Sequence, residues 1–227
     1  KRADRATNEG SVYVRTSEDG SEAILVTLTC ETDFVAKNAD FQSLGNEIAD
    51  AAMASKPADV AALKALSLGE QTVHEKVTEY VGKIGEKLDI TKYEILSGDQ
   101  VVSYIHSTGK LGVLVALKGV NGADVSEAGK DVAMQIAAMS PVAVDKDGVD
   151  STVVEKEIEI GKDQARQEGK PEAMLEKIAM GKLNKFYKEN TLLSQAFVKN
   201  PKQSIQQYLD SVTKGLTVSD FKRVAIV

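Results

Sequence analysis

The chain has 227 residues, 42% of them hydrophobic, and carries 28 basic against 34 acidic side chains for a net charge of -6. That length can bury one large core or two smaller ones, and we expect two lobes. The acidic balance supplies no positive field to draw the protein onto phosphate backbones, which argues against nucleic acid as a direct partner.

The lone cysteine, Cys30, has no second cysteine with which to build a disulfide or a CxxC metal site, which fits a reducing cytoplasm. No run approaches the ~20 apolar residues that cross a bilayer, and the first residues lack a signal-peptide pattern, so no membrane role is expected. Lys1-Arg2-Ala3-Asp4-Arg5 reads as a polar linker, from which we expect that something precedes it.

Along the chain, β-rich residues run from Ser11 to Thr16 and from Ala23 to Thr29 across Asp19-Gly20, which predicts a hairpin. Phe41, Leu44, Ile48, Ala51 and Ala52 then recur at helical spacing after Asn38, an N-cap residue type, and Pro57 ends or restarts that helix. Val73, Val77, Val81 and Ile84 mark a second helix over about Gln71 to Lys87. Ile90 to Leu96, Val101 to His106 and Leu111 to Leu117 read as three strands, divided at Ser97-Gly98-Asp99 and Thr108-Gly109 and expected to form an antiparallel meander.

Strand 23–28 followed by helix 41–53 and strand 112–117 followed by helix 125–139 repeat one order, from which two related lobes or a coincidence of common elements can be read. Between Ser151 and Lys188 two helical patterns face each other across Glu168-Gly169-Lys170-Pro171, a turn built on a glycine helix end and a proline helix start. The stripes Val154, Ile158, Ala165 and Ala179, Leu183, Phe186 suit an antiparallel pair, either a projecting coiled-coil arm or ordinary core helices. A helix near Ser204 to Thr213 and a strand from about Val218 to Val227 close the chain.

The expected class is thus α+β: two related lobes, each a small antiparallel sheet packed by helices, plus a helical hairpin arm. We place the N-terminal lobe at 1–98, the C-terminal lobe at 99–150 and 190–227, and the arm at 151–189.

Reactive chemistry is scarce. The two histidines, His74 and His106, do not share metal-ligand spacing, and His74 sits among Glu70, Glu75 and Glu79 as on a solvated helix face. There is no phosphate loop, dinucleotide fingerprint or GxSxG elbow, so no cofactor, metal or catalytic residue is assigned. The conspicuous segment is Thr32-Asp33-Phe34-Val35-Ala36-Lys37-Asn38, predicted as a loop between a strand and a capped helix. An aromatic at a loop tip on a rigid base is a sound anchor for a partner pocket. The alternative is that Phe34 folds back as a plug beneath the helix.

The stretch Cys30-Glu31-Thr32-Asp33-Phe34-Val35-Ala36-Lys37 resembles the signature of the elongation factor Ts family. Ser103-Tyr104-Ile105-His106 with Gly112-Val113-Leu114-Val115, then Val132 to Ala138, Val153 to Glu157 and Gly169-Lys170-Pro171 extend the resemblance along the chain. Where that family commonly has Glu-Leu-Asn before the cysteine, this chain has Thr27-Leu28-Thr29. The resemblance implies a guanine-nucleotide exchange factor for elongation factor Tu, without catalysis of its own and working in the cytoplasm.

It implies that the loop inserts near the partner's Mg²⁺ and phosphate region, with Thr32, Asp33, Phe34, Val35 and His106 as partner-binding residues. It also implies that the family's small N-terminal helical domain lies outside this chain, which should weaken binding. A small hydrolase using acidic residues, and an assembly protein joining copies of the chain through the arm as a homo-oligomer, stand as rivals from other classes.

Overall fold

The computed structural model describes all residues from Lys1 to Val227. Strands β1 (Glu9–Thr16) and β2 (Glu22–Cys30) form the expected hairpin, in register from Glu9 opposite Cys30 to Thr16 opposite Ala23. A short helix α1 (Asp33–Ala36) follows, then α2 (Ala39–Ser55), α3 (Val60–Ala65), a minimal hairpin β3 (Ser67–Leu68) and β4 (Gln71–Thr72), and α4 (Val73–Ile84). Asn38 caps α2 as its side-chain type predicts, accepting the Asp40 and Phe41 N–H groups. Phe41, Leu44, Ile48 and Ala52 on α2 and Val73 and Val77 on α4 close over Ile24, Val26 and Leu28 of β2, forming one apolar core.

The three predicted strands exist but do not form a meander. Strand β5 (Asp89–Ser97) pairs antiparallel with β2, so the first sheet runs β1-β2-β5. Strands β6 (Gln100–Ile105) and β7 (Leu111–Lys118) pair with each other in a second sheet. The physical reason is β2, whose residues from Ala23 to Cys30 are all buried, so that both its edges and both its faces need partners. At the Ser97-Gly98-Asp99 break the chain changes sheets: the Gly98 N–H donates to Ser21 and the Asp99 N–H to Leu117.

The second sheet, ordered β10-β7-β6, is completed by β10 (Thr217–Ala225), and β7 is followed by α5 (Ser126–Met139) as β2 is, after the short α1, by α2. Val12, Leu25, Leu96, Val101, Leu114, Ala116 and Val224 form the apolar layer between the sheets. Thr27 and Thr29, at the positions that depart from the family pattern, are buried and satisfied: Thr27 shares a hydrogen bond with Thr91 and accepts the Lys92 N–H at a register shift, and Thr29 donates to Asp89.

By compactness the chain forms two units, Lys1–Ala137 with Val218–Val227, and Ala138–Thr217. Both three-stranded sheets belong to the first. The second holds the helical hairpin, α6 (Ser151–Gln167) and α7 (Leu175–Asn190), joined through Gly169 in the left-handed region and a 3-10 turn at Glu172–Met174. Small residues set its spacing: a Cβ on Gly161 would stand 3.1 Å from the Ala179 Cα. Ala165, Ala179 and Leu183 of the predicted stripes are buried, while Val154, Ile158 and Phe186 are half-buried. The unit ends in β8 (Ala196–Phe197), β9 (Asn200–Ser204) and α8 (Ile205–Val212), with Phe197 stacked on Tyr208 at 4.3 Å.

Candidate functional site

The Thr32–Asn38 segment is not the expected loop. Its middle is α1, a single turn of four residues, too short to hold itself against the entropic cost of nucleating a helix. What holds it is side-chain chemistry at both ends. At the N-terminal end Thr32 is the cap, with its hydroxyl accepting the Val35 N–H at 3.3 Å. The carboxylate of Glu86, from the turn after α4, accepts the N–H groups of Glu31 and Thr32, each at 3.0 Å, and the Thr32 hydroxyl at 2.6 Å.

Glu31 returns the bond, its own carboxylate accepting the Lys87 N–H at 2.7 Å, and that contact draws its pKa below the usual carboxylate range. At the C-terminal end the Gln42 amide donates to the Ala36 carbonyl and to the Ser11 hydroxyl, and accepts from the Tyr13 hydroxyl at 3.0 Å. Tyr13 reaches it by lying across Gly45, where a Cβ would stand 2.1 Å from the ring. Glycine is required there.

On this clamped turn Phe34 is 82% exposed, whereas Phe41, seven residues on, is fully buried. The plug alternative is therefore overturned: Phe34 is outside, on a turn hydrogen-bonded at both ends. Asp33 stands beside it, also exposed, with its carboxylate 3.9 Å from the Lys37 ammonium. Thr32 and Val35 serve differently, Thr32 as the cap and Val35 half-buried against the core beneath.

The structure brings a second element to the same place. The turn between β6 and β7 is tied to β1 by the Val12 N–H, which donates to Gly109 at 2.8 Å. Between that turn and α1 lies an open groove of about 520 Å³, lined in part by Asp33, Lys37, Ile105, Ser107 and Thr108. His106 is exposed at the end of β6, its Nδ1 3.2 Å from the Tyr104 hydroxyl; it adjoins this groove in sequence but does not line it.

Sequence reasoning did not single out Glu86, Gln42 or Ile105. Ile105 carries one faint signal, an apolar side chain at a strand end beside a turn, and Glu86 and Gln42 carry none.

Cys30 is buried beneath the turn, donates to the Thr32 carbonyl, and burial pushes its thiol up to about 12, so it is not a nucleophile near neutral pH. No three His, Cys, Asp or Glu side chains gather in a geometry that could hold a metal ion. His74 lies exposed on α4, as its acidic neighbours suggested.

Residues 31–226 match the family model described as Elongation factor TS. The chain is 59% identical over 226 residues to elongation factor Ts of Cytophaga hutchinsonii, which covers 99% of the chain and 81% of that relative. It is 51% identical over 225 residues to elongation factor Ts of Amoebophilus asiaticus, with 99% and 81% covered. Against elongation factor Ts of Christiangramia forsetii it is 47% identical over 227 residues, with 100% and 81% covered. Near-complete coverage at such identity, with the signature segment folded into a clamped and exposed turn, leads to one assignment: the chain belongs to the elongation factor Ts family.

Proposed function

We propose that the chain speeds release of GDP from elongation factor Tu by inserting the α1 turn, Phe34 foremost and Asp33 beside it, near the Mg²⁺ and phosphate-binding region of that GTPase. As a member of the elongation factor Ts family it is a nucleotide-exchange factor of translation, not an enzyme. The observation that carries the insertion step is the exposure of Phe34 on a turn anchored at both ends. An aromatic held outside its own core supplies apolar area to a partner without first having to be ordered.

Asp33 brings charge to the same point, where it would compete for the cation and phosphate contacts that hold GDP. His106 is assigned a second contact, supported by its exposure beside the groove. In functional terms the N-terminal lobe, 1–98, supplies the wedge; the C-terminal lobe, 99–150 with 190–227, supplies His106; and 151–189 is the helical arm.

Exchange by this route obeys linkage. A factor that loosens GDP must bind the loosened partner more tightly, and GDP must weaken the factor by the same ratio. A coupling of about 3 kcal/mol is roughly a 150-fold change in affinity. The test is the release of fluorescent GDP from elongation factor Tu with and without the chain, paired with titration of the chain onto nucleotide-free and GDP-bound partner. Accelerated release with unequal affinities is expected. Equal affinities would sink the insertion mechanism.

A further inference from the structure

The residue that holds the wedge in place is not in the signature. We propose that Glu86 is a positioning residue for nucleotide exchange, fixing the α1 turn so that Phe34 is presented in one orientation; this rests on the insertion reading above. Three donors converge on its carboxylate, and two of them are backbone N–H groups in the stretch where β2 has ended and α1 has not begun. Neither the sheet nor the helix can satisfy those groups, and burying them unpaired is costly.

One of the three is the hydroxyl of Thr32, which in turn caps α1 through Val35, so the path from the carboxylate to the helix is two hydrogen bonds long. Phe34 lies two residues beyond that cap.

Glu86 is itself half-buried and takes no part in the lining of the groove beside Asp33, so its route to a partner runs through the turn. Its anchorage is mutual, because the Glu31 carboxylate fixes the neighbouring Lys87 N–H while Glu86 fixes Glu31. Segments 31–32 and 86–87 thus grip each other with exchanged carboxylates, which ties the turn to the α4–β5 junction. Without the grip the turn samples many arrangements, and the ordering cost that is now met in folding falls on the encounter with the partner.

The experiment uses the full chain with four variants: Glu86→Ala, Glu86→Gln, Phe34→Ala and the double Phe34→Ala/Glu86→Ala. GDP release, melting, and hydrogen exchange at the Val35 and Ala36 amides are measured for each. Glu86→Ala is expected to slow exchange about tenfold, in line with the loss of a preorganised contact, and to deprotect those two amides. Glu86→Gln, which keeps one acceptor oxygen, should fall between it and the wild type.

On the Phe34→Ala background, removing Glu86 should change release by less than about twofold, since residues acting through one contact are not additive. Wild-type release by Glu86→Ala with slow release by Phe34→Ala removes the role of Glu86 alone. Wild-type release by Phe34→Ala removes the insertion mechanism and this inference with it. A tenfold effect of Glu86→Ala that persists without Phe34 means that Glu86 does not work through the turn. If Glu86→Ala melts early, the comparison rests on Glu86→Gln, and wild-type amide protection combined with slow release in that variant overturns the inference.

Discussion

Replacing Phe34 with alanine separates wedge from scaffold because the side chain is 82% exposed in the free chain. Burying a whole phenylalanine side chain is worth about 1.5–3 kcal/mol. Four-fifths of that, roughly 1.2–2.5 kcal/mol, remains unused until a partner covers the ring. At 1.36 kcal/mol per decade, losing it slows exchange by about 8- to 70-fold. The fifth already buried contributes less than about 0.6 kcal/mol to folding, so the melting temperature of a chain this size should move by less than about 2.5 °C.

The control is Phe41→Ala, which empties a fully buried site; its cost of about 3–5 kcal/mol lowers the melting temperature by roughly 6–20 °C. The assay is release of fluorescent GDP from elongation factor Tu at chain concentrations well below saturation, with circular dichroism melting alongside. Wild-type release by Phe34→Ala, or a melting loss that matches its exchange loss, would refute the reasoning.

Asp33→Ala should give a smaller exchange defect than Phe34→Ala and no measurable change in melting, because its ion pair with Lys37 is solvent-exposed; unchanged release would remove Asp33 from the mechanism. Burial pushes the Cys30 thiol and the Tyr13 and Tyr93 hydroxyls up to about 12 from ordinary values of 9.0 and 10.0. Protons thus stay on the folded chain after the unfolded chain has released them, so the stability linked to these groups is complete below about pH 9 and drains away as pH rises toward 12. Melting followed upward from about pH 8 should show the decline, and Tyr93→Phe should flatten it; an equal slope in that variant excludes Tyr93 as a source. Gly161→Leu forces a side chain into the α6–α7 contact, at an overpacking cost of about 1–3 kcal/mol, and should raise hydrogen exchange across residues 151–190 while leaving the amides of β1 and β2 protected.

Much of the fold was legible because burial writes periodicity. Asn38 before the apolar spacing of α2, and Gly169-Lys170-Pro171 between two helical stripes, each announced a boundary that the structure keeps. The meander failed because an apolar strand pattern states that a strand is covered without stating by which neighbour; β5 and β6 both read as strands, and only packing on β2 assigns them to different sheets. The helix α1 and the strand pair β8–β9 are too short to carry a period.

At the site, the signature residues pointed to Phe34 and helical spacing put Phe41 in the apolar stripe of α2, but no period covered Phe34 to say whether its ring stood outside or folded back beneath the helix. The clamp was invisible for a different reason. Glu86 and Thr32 lie 54 positions apart, and two of the three donors to that carboxylate are backbone N–H groups, which impose no residue type on the segment it holds.

The order of strands in the second sheet also bears on how the chain is made. Its central strand β7 ends at Lys118, and its neighbour β10 begins at Thr217, so about a hundred residues must leave the ribosome between them. At about 5–20 residues per second that interval is roughly 5–20 s. Throughout it one edge of the strand from Val113 to Leu117, fully buried when complete, stands open. A nascent chain stalled before residue 217 therefore presents an unpaired apolar edge, the template on which strands of other chains add. Chaperone capture during synthesis should concentrate in that window and end when the last strand docks.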